Sequence, residues 1–192
     1  MKFIIQEHIS TVEIKKSKFI ASLFPYNEFD EVMKRLKKEH PKARHHVYAY
    51  RYLNEFEQIV ENCSDDGEPR GTSGRPSLKV LGGQGLINSA VIIVRYFGGV
   101  KLGTGGLVRA YSDAVNQVIS ESNLKEYLKL DNQLLEIDYS SLSQIEYLLN
   151  TLNIEISSKE FQSNVLLNLS ATKDQFEKLK SDLPLSYELK NI

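Results

Sequence analysis

The stretch that decides the fold is Ala90-Val91-Ile92-Ile93-Val94-Arg95-Tyr96-Phe97-Gly98-Gly99-Val100-Lys101-Leu102-Gly103-Thr104-Gly105-Gly106. Its first five residues are apolar and mostly β-branched, which is typical of a strand buried on both faces. Beyond the glycines, apolar residues recur at helical spacing and predict a helix over residues 104–120. The inner stripe of that helix consists of Leu107, Ala110, Tyr111, Ala114 and Val118. The first part of the chain is therefore predicted to mix strands and helices, in the α+β class.

Shorter elements precede this stretch. Asn27 is predicted to cap a helix that ends before Pro41. The apolar residues of that helix, at i, i+3, i+4 and i+7, are Phe29, Val32, Met33 and Leu36. Runs rich in Ile, Val, Phe and Tyr, bounded by polar residues, predict strands. These strands cover residues 3–14, 18–25, 44–53 and 58–63.

Two surface patterns in this part each allow two interpretations. Alternation along residues 44–53 places His46, Tyr48, Tyr50 and Tyr52 on one face of the strand. Such an aromatic row can stack nucleic-acid bases or can be packed under a helix. The basic run at the end of the first helix can bind phosphate or can be a solvated face that complements the helix dipole. That run consists of Lys34, Arg35, Lys37 and Lys38.

The second part of the chain, residues 125–192, follows a different pattern. Ser141-x-x-Gln144 and Thr172-x-x-Gln175 both have the form of a capping box that opens a helix. Strands are predicted at 133–139, 154–161, 165–171 and 185–189. The order β-α-β-β-α-β is the ferredoxin-like pattern. We therefore predict two domains, residues 1–124 and residues 125–192.

Composition and charge narrow the class of protein. The chain has 192 residues, of which 41% are hydrophobic and 26% charged, as in ordinary globular proteins. No apolar run is long enough to span a membrane, and residues 1–10 lack the features of a signal peptide. The single cysteine, Cys63, cannot form an internal disulfide or a cysteine cluster for metal. We expect a cytoplasmic protein without a cofactor.

The net charge of −1 is an average over two unlike parts. Residues 1–124 carry a balance of +3 and residues 125–192 a balance of −4. All seven arginines lie in the first part, and all eleven glycines lie between Gly67 and Gly106. The predicted first domain therefore contains all the arginines and all the glycines, and glycines can adopt backbone conformations that other residues disfavour.

The glycine-rich loop, residues 98–106, joins the buried strand to a helix, where backbone N–H groups and the helix dipole can bind an anion. It is not a Walker A loop, because Thr104 stands where the lysine belongs, and it is not a Rossmann fingerprint, because Val108 replaces the third glycine. The glycines can equally serve only tight turns and close packing. The candidate phosphate or nucleic-acid ligands are Arg70, Thr72, Arg75, Arg95, Gly98, Gly99, Lys101, Gly103, Thr104, Gly105, Gly106 and Arg109.

A second polar loop, residues 64–76, contains the three carboxylates Asp65, Asp66 and Glu68. They could hold a divalent cation, although their spacing is not that of a calcium loop. Turn formation, helix capping and pairing with Arg70 or Arg75 explain the same residues. Pro76 is predicted at the first position of a short helix. Neither this loop nor the rest of the chain shows a nucleophile with an evident base, since Cys63, Ser73 and Thr104 all lack one.

Two long motifs resemble the YigZ/IMPACT family. The first is Asp65-Asp66-Gly67-Glu68-Pro69-x-Gly71-Thr72-x-Gly74-x-Pro76. The second is Arg95-Tyr96-Phe97-Gly98-Gly99-x-x-Leu102-Gly103-Thr104-Gly105-Gly106-Leu107-Val108-Arg109-Ala110-Tyr111. The segments Ser17-Lys18-Phe19-Ile20-Ala21 and Ala43-x-His45-x-Val47-x-Ala49-Tyr50 resemble the family as well, whereas Ser73 stands where alanine is expected.

The resemblance implies a first domain with the fold of the second domain of ribosomal protein S-five and the fourth domain of elongation factor G. It implies a ferredoxin-like second domain akin to the fifth domain of that factor. Eukaryotic members regulate translation through protein contacts and carry an accessory domain of another kind. For bacterial members the resemblance implies nucleic-acid binding and no catalytic residues.

Three functions follow as expectations. The first is a non-catalytic protein that binds RNA or the ribosome, without DNA sequence specificity, and is linked to the regulation of translation. The second is an enzyme or binder acting on a phosphorylated small molecule or nucleotide through the glycine-rich loop, because the implied fold is also used by small-molecule kinases. The third is a protein-interaction module whose acidic second part meets a basic partner.

Overall fold

The computed structural model describes residues 1–191 and divides the chain into two compact units, Met1–Tyr127 and Leu128–Ile192. Helices and antiparallel sheets occur in both units, so the protein is of the α+β class. The independent folding of residues 1–124 and 125–192 as domains stays a prediction. No helix within residues 1–191 combines the length and the apolar character that crossing a membrane requires.

The first unit contains seven strands, three α-helices and one 3-10 helix. The strands are β1 (Lys2–Ile4), β2 (His8–Ile14), β3 (Ser17–Pro25), β4 (His45–Leu53), β5 (Ile59–Ser64), β6 (Ser89–Tyr96) and β7 (Leu124–Glu126). The α-helices are α1 (Phe29–Glu39), α2 (Gly74–Gly83) and α3 (Gly103–Glu121). Five of the strands form one antiparallel sheet in the order β2-β3-β6-β4-β5, while β1 pairs with β7.

Strand β6 lies at the centre of the five-stranded sheet and is buried on both faces. Val91 and Ile93 belong to the core shared with α2 and α3, whereas Ala90, Ile92 and Val94 belong to the core beneath α1. All five side chains have 0% exposure. The prediction from the apolar run is therefore confirmed, and the sheet sits between two helical layers.

The aromatic row of β4 is packed rather than free. The ring of Phe29, at the start of α1, lies 5.1 Å from the ring of Tyr48 and 5.2 Å from that of Tyr50. Tyr52 stacks on Tyr26 at 4.0 Å. The packed interpretation is confirmed for Tyr48 and Tyr50, which pack against the apolar core on the α1 face. Tyr52 is half-buried and lies against Tyr26 instead.

Three predicted boundaries in this unit are wrong. Residues 3–14 form two strands in two different sheets, since β1 pairs with β7 and β2 pairs with β3. Asn27 lies in a 3-10 helix, Tyr26–Glu28, and does not cap α1, whose N-cap is Glu28. Helix α2 begins at Gly74 and not at Pro76. It begins earlier because the Asp65 carboxylate, distant in sequence, accepts from the N–H groups of Ser73 and Gly74.

The second unit is ferredoxin-like, as predicted. Its elements are β8 (Asp131–Ile137), α4 (Leu142–Thr151), β9 (Glu155–Phe161), β10 (Val165–Ala171), α5 (Lys173–Asp182) and β11 (Leu189–Asn191). The sheet order is β11-β8-β10-β9, and every pair is antiparallel. Alternate residues of β10, from Val165 to Ala171, are buried against the helices.

Two local predictions for this unit fail. Ser141 makes no capping hydrogen bond to α4. Its hydroxyl instead accepts from Tyr187 at 2.7 Å. The last strand covers Leu189–Asn191 rather than residues 185–189, and Leu185 is fully exposed. Both differences come from contacts with distant residues that local spacing does not encode.

The capping box at Thr172 is confirmed and supports a stability prediction. The Thr172 side chain accepts from the Gln175 N–H, and the Gln175 side chain accepts from the Thr172 N–H. We expect Thr172→Ala to lower the free energy of unfolding of the full chain by about 1 kcal/mol in urea titrations, because a helix N–H loses its acceptor. Thr172→Ser keeps the acceptor and should stay close to the parent protein. Equal losses in the two variants would contradict this role.

Candidate nucleic-acid interface

The loop after β5, residues 64–76, is held in shape by Asp65. Its carboxylate accepts hydrogen bonds from the N–H groups of Gly71, Ser73 and Gly74 at 2.7 to 3.1 Å. Burial alone would raise the pKa of Asp65, but these hydrogen bonds outweigh it and hold the pKa below its usual value. Asp65 therefore acts as the cap of α2 and the organiser of the loop.

Asp66 ties the same loop to the start of β4. Its Oδ2 accepts from the His46 N–H at 2.6 Å, and its carbonyl oxygen lies 2.8 Å from Nδ1 of His45. Because a carbonyl oxygen can only accept, Nδ1 of His45 donates there. This leaves Nε2 of His45 facing Glu68, at 3.9 Å from Oε1.

Glu68 is the third carboxylate of the loop and is buried. Its side chain is 3% exposed and that of Arg95, on β6, is 7% exposed. Nη1 of Arg95 donates to Oε1 of Glu68 at 2.5 Å, and the Tyr111 hydroxyl of α3 donates to the same oxygen at 2.9 Å. Burial, together with the negative charge of Glu68, raises the pKa of Tyr111, which stays protonated and a donor.

Asp65, Asp66 and Glu68 thus all accept hydrogen bonds from groups of the protein itself. Within residues 1–191, no group of three or more His, Cys, Asp or Glu side chains is placed to hold a metal ion. The predicted pairing of a loop carboxylate with Arg70 or Arg75 is wrong, because Glu68 pairs with Arg95 instead. The predicted capping role is correct and belongs to Asp65.

Arg95 also connects this buried network to the surface. Its guanidinium carbon lies 5.5 Å from the ring centre of Phe19 and 5.8 Å from that of Phe97. Phe19 has 0% exposure, whereas Phe97 is 57% exposed. The Nε of Arg95 is buried and has no hydrogen-bond partner among the described residues. One polar group of this arginine is therefore buried without a hydrogen-bond acceptor.

A basic recess opens beside Phe97, and we call it the Phe97 pocket. It has a volume of about 420 Å³ and is lined by Lys42, Arg44, His45, Arg95, Tyr96 and Phe97. Lys42 and Arg44 are exposed, and neither forms an ion pair with any residue in the described part of the chain. The antiparallel register of β4 and β6, with His45 opposite Arg95, brings the two halves of the pocket together.

The glycine-rich loop follows the pocket directly, and close packing explains Gly98. A Cβ on Gly98 would lie well under 3.0 Å from the backbone of Lys16. The Gly98 N–H donates to the Ser17 hydroxyl at 3.1 Å, which holds the loop against the turn between β2 and β3. Gly103, by contrast, has φ of +73° at the start of α3, a conformation that side chains disfavour. No side chain caps this helix.

Comparison with known proteins identifies the family. Residues 15–119 match the family model described as the Impact N-terminal domain. The chain is 39% identical over 176 residues to an IMPACT family member of Haemophilus influenzae, covering 89% of this chain and 84% of that protein. The protein belongs to the IMPACT family.

Further members of the IMPACT family and one solved structure extend the comparison. The chain is 37% identical to the IMPACT family member YigZ of Escherichia coli, over 82% of this chain and 79% of that protein. It is 32% identical to Protein IMPACT of Rattus norvegicus, over 50% of this chain and 32% of that protein. A crystal structure titled as that of a hypothetical protein aligns with a TM-score of 0.62 at 33% identity, covering 100% of this chain and 96% of the other.

The candidate ligands of this IMPACT-family chain do not all lie in one place. Arg95 lines the Phe97 pocket, but its charge is paired with Glu68. Thr72 is buried and its hydroxyl donates to the Pro69 carbonyl, so its role is structural. Arg75 lines a separate groove between α2 and α3, together with Gly71. The exposed candidates are Arg70, Arg75, Gly99, Lys101, Gly103, Thr104, Gly105 and Arg109.

Sequence reasoning missed five residues of the pocket: Lys42, Arg44, His45, Tyr96 and Phe97. A usable signal was present, because Lys42 and Arg44 alternate with apolar or neutral residues at the start of a predicted strand. Phe97 also directly follows the strand that is predicted to be buried. Neither signal identifies the partner strand, which only the pairing of β4 with β6 supplies.

Proposed function

We propose that this IMPACT-family protein is a non-catalytic RNA-binding protein that contacts RNA or the ribosome through the Phe97 pocket and the adjoining glycine-rich loop. The observation that carries the proposal is the exposed Phe97 ring beside two unpaired cations, Lys42 and Arg44. The residues that line the pocket all lie in the first unit. A link to the regulation of translation is part of the proposal.

The chemistry of the pocket matches the two components of single-stranded RNA. Phosphates dominate nucleic-acid affinity, and each contact with a single strand adds about 0.7 to the log–log salt slope. Bases stack on exposed aromatic rings without strict sequence preference. Lys42 and Arg44 supply the contacts to phosphates, and Phe97 supplies the ring on which a base stacks.

The nucleophile candidates support a binding role rather than catalysis. Burial raises the pKa of the Cys63 thiol, which disfavours the reactive thiolate. The Ser73 hydroxyl donates to Oδ1 of Asp65 at 2.7 Å and is itself buried, so it serves the loop. Thr104 is exposed at the uncapped start of α3.

Replacing Phe97 tests the proposal. We expect Phe97→Ala to weaken binding of a single-stranded RNA oligonucleotide about 5- to 150-fold, because loss of one base–aromatic stack costs about 1–3 kcal/mol. Affinity is measured by fluorescence anisotropy at fixed salt with the full chain. The matched control is Phe56→Ala, since Phe56 is 73% exposed in the same unit but lies away from the pocket.

Two results would contradict the proposed function. One is unchanged RNA affinity in Phe97→Ala with a fold shown to be intact by circular dichroism. The other is affinity that does not fall with added salt, because cationic contacts to phosphates must release counterions. Equal weakening in Phe56→Ala would show that the effect is not local to the pocket.

A further inference from the structure

We infer that the Phe97 pocket binds the phosphomonoester of a single nucleotide, with the base of that nucleotide stacked on Phe97. The inference rests on the proposed binding of nucleic acid at the same pocket, and it narrows the ligand to one nucleotide carrying a terminal phosphate. The nucleotide can be the 5′ end of an RNA or a free nucleoside monophosphate, because the chemistry at the pocket is the same.

The size of the pocket suits one nucleotide. Its volume of about 420 Å³ lies in the range of small-molecule sites, which run from about 300 to 1,000 Å³. Among residues 1–191, only two short segments line it, residues 42–45 and 95–97. A recess bounded by two segments encloses one end of a ligand, whereas a strand that passes through needs an extended groove.

The charge of the pocket matches a phosphomonoester better than a phosphodiester. Glu68 offsets the charge of Arg95, which leaves Lys42 and Arg44 as two uncompensated cations. A phosphomonoester carries about −1.5 to −2 charges at pH 7, because its second pKa is about 6. A phosphodiester carries only one negative charge, so it leaves one of the two cations unmatched.

The buried donor of Arg95 provides an independent indication of a ligand. The Arg95 side chain is 7% exposed and lines the pocket, and its Nε has no partner among residues 1–191. Buried donors are nearly always satisfied, so an unsatisfied one calls for an explanation. Nε itself has no accessible surface, so a phosphate oxygen in the pocket reaches it only when the Arg95 side chain turns towards the ligand.

The position of Phe97 supplies the site for the base. Its ring is 57% exposed and lies against the guanidinium of Arg95, two residues earlier in the chain. A phosphate bound near Arg95 therefore places the attached nucleoside beside the ring. Stacking on the exposed surface of the Phe97 ring tolerates any base, so we expect little base preference.

The test compares two forms of one RNA that differ only in the chemical group at the 5′ end. A ten-nucleotide RNA labelled at its 3′ end is prepared with a 5′ phosphate and with a 5′ hydroxyl, and both are titrated with the full chain. We expect the phosphorylated RNA to bind about tenfold tighter, the gain of one charge-assisted contact. Adenosine monophosphate should displace it, and adenosine should not.

Variants locate the effect at the pocket. In Arg44→Ala the preference for the 5′ phosphate should fall below about threefold, because one of the two cations is lost. Lys178→Ala, an exposed position on α5, removes the same charge elsewhere and should leave the preference unchanged. An unchanged preference in Arg44→Ala would overturn the assignment to this pocket.

The outcomes separate this inference from the proposed function. Equal binding of the two RNAs overturns the inference and leaves RNA binding standing. Saturable binding of adenosine monophosphate without RNA binding supports the nucleotide site and overturns the proposed function. Absence of binding to RNA and to the mononucleotide overturns both.

Discussion

Glu68→Gln should lower the free energy of unfolding of the first unit by about 3–5 kcal/mol. The substitution keeps the shape of the side chain but leaves the Arg95 guanidinium, 7% exposed, without its counter-charge. Removing one partner of a buried pair is costly because the remaining charge is neither solvated nor neutralised. The Tyr111 hydroxyl, which donates to the same carboxylate oxygen, also loses a charged acceptor.

The measurement is urea unfolding of the full chain, monitored with a spectroscopic signal that reports on the first unit. The matched control is Glu39→Gln. Glu39 pairs with Arg35 at 3.1 Å, and the two side chains are 47% and 34% exposed. Exposed pairs contribute only about 0–1 kcal/mol, so the control should change little. A loss below about 1 kcal/mol in Glu68→Gln would contradict the buried network as a stabilising element.

Gly98→Ala should destabilise the first unit by about 3 kcal/mol, at the upper end of the usual cost of overpacking. The added methyl group would overlap the backbone of Lys16 and Ser17. Backbone atoms cannot rotate away as a flexible side chain can. The turn between β2 and β3 would have to move away from the glycine-rich loop, and the hydrogen bond from Gly98 to Ser17 would break.

Gly105→Ala is the control for this substitution. Gly105 lies in α3, and a Cβ there would meet no heavy atom within 4 Å. At such a compatible helical position alanine stabilises by about 0.4–1 kcal/mol, because it reduces the entropy of the unfolded chain. Opposite signs for the two variants in thermal unfolding are the expected result. A stable Gly98→Ala would show that the close approach of the two loops is not required.

The fold was largely predictable because its elements follow local periodicity. The apolar run of β6 indicated burial on both faces, and the structure places it between two helical layers. The order of elements in the second unit indicated the ferredoxin-like arrangement, and the sheet order confirms it. The two capping-box motifs, however, had different outcomes: Thr172 caps α5, whereas Ser141 bonds Tyr187 instead.

The candidate site was predictable only in part. Of the candidate ligands that the sequence predicts, Arg95 lines the Phe97 pocket, whereas none of residues 98–106 is among its lining residues. Phosphate binding by these residues stays a prediction. The predicted pairing of a loop carboxylate with Arg70 or Arg75 is wrong, because it rests on nearness in sequence alone, whereas Glu68 pairs with Arg95 of β6. Lys42, Arg44 and Phe97 were missed, because they meet only when β4 pairs with β6.

The sequence by itself determined the α+β class, the doubly buried strand, the ferredoxin-like order and the family motifs, because these depend on residue spacing along a helix or a strand. Tertiary structure alone decided which charges meet. Arg95 lies 27 residues from Glu68 and faces His45 across the sheet. The register of paired strands sets such contacts, and local spacing does not encode register between distant strands. Residues 90–94 therefore predict the doubly buried strand, whereas they do not predict the pocket at its end.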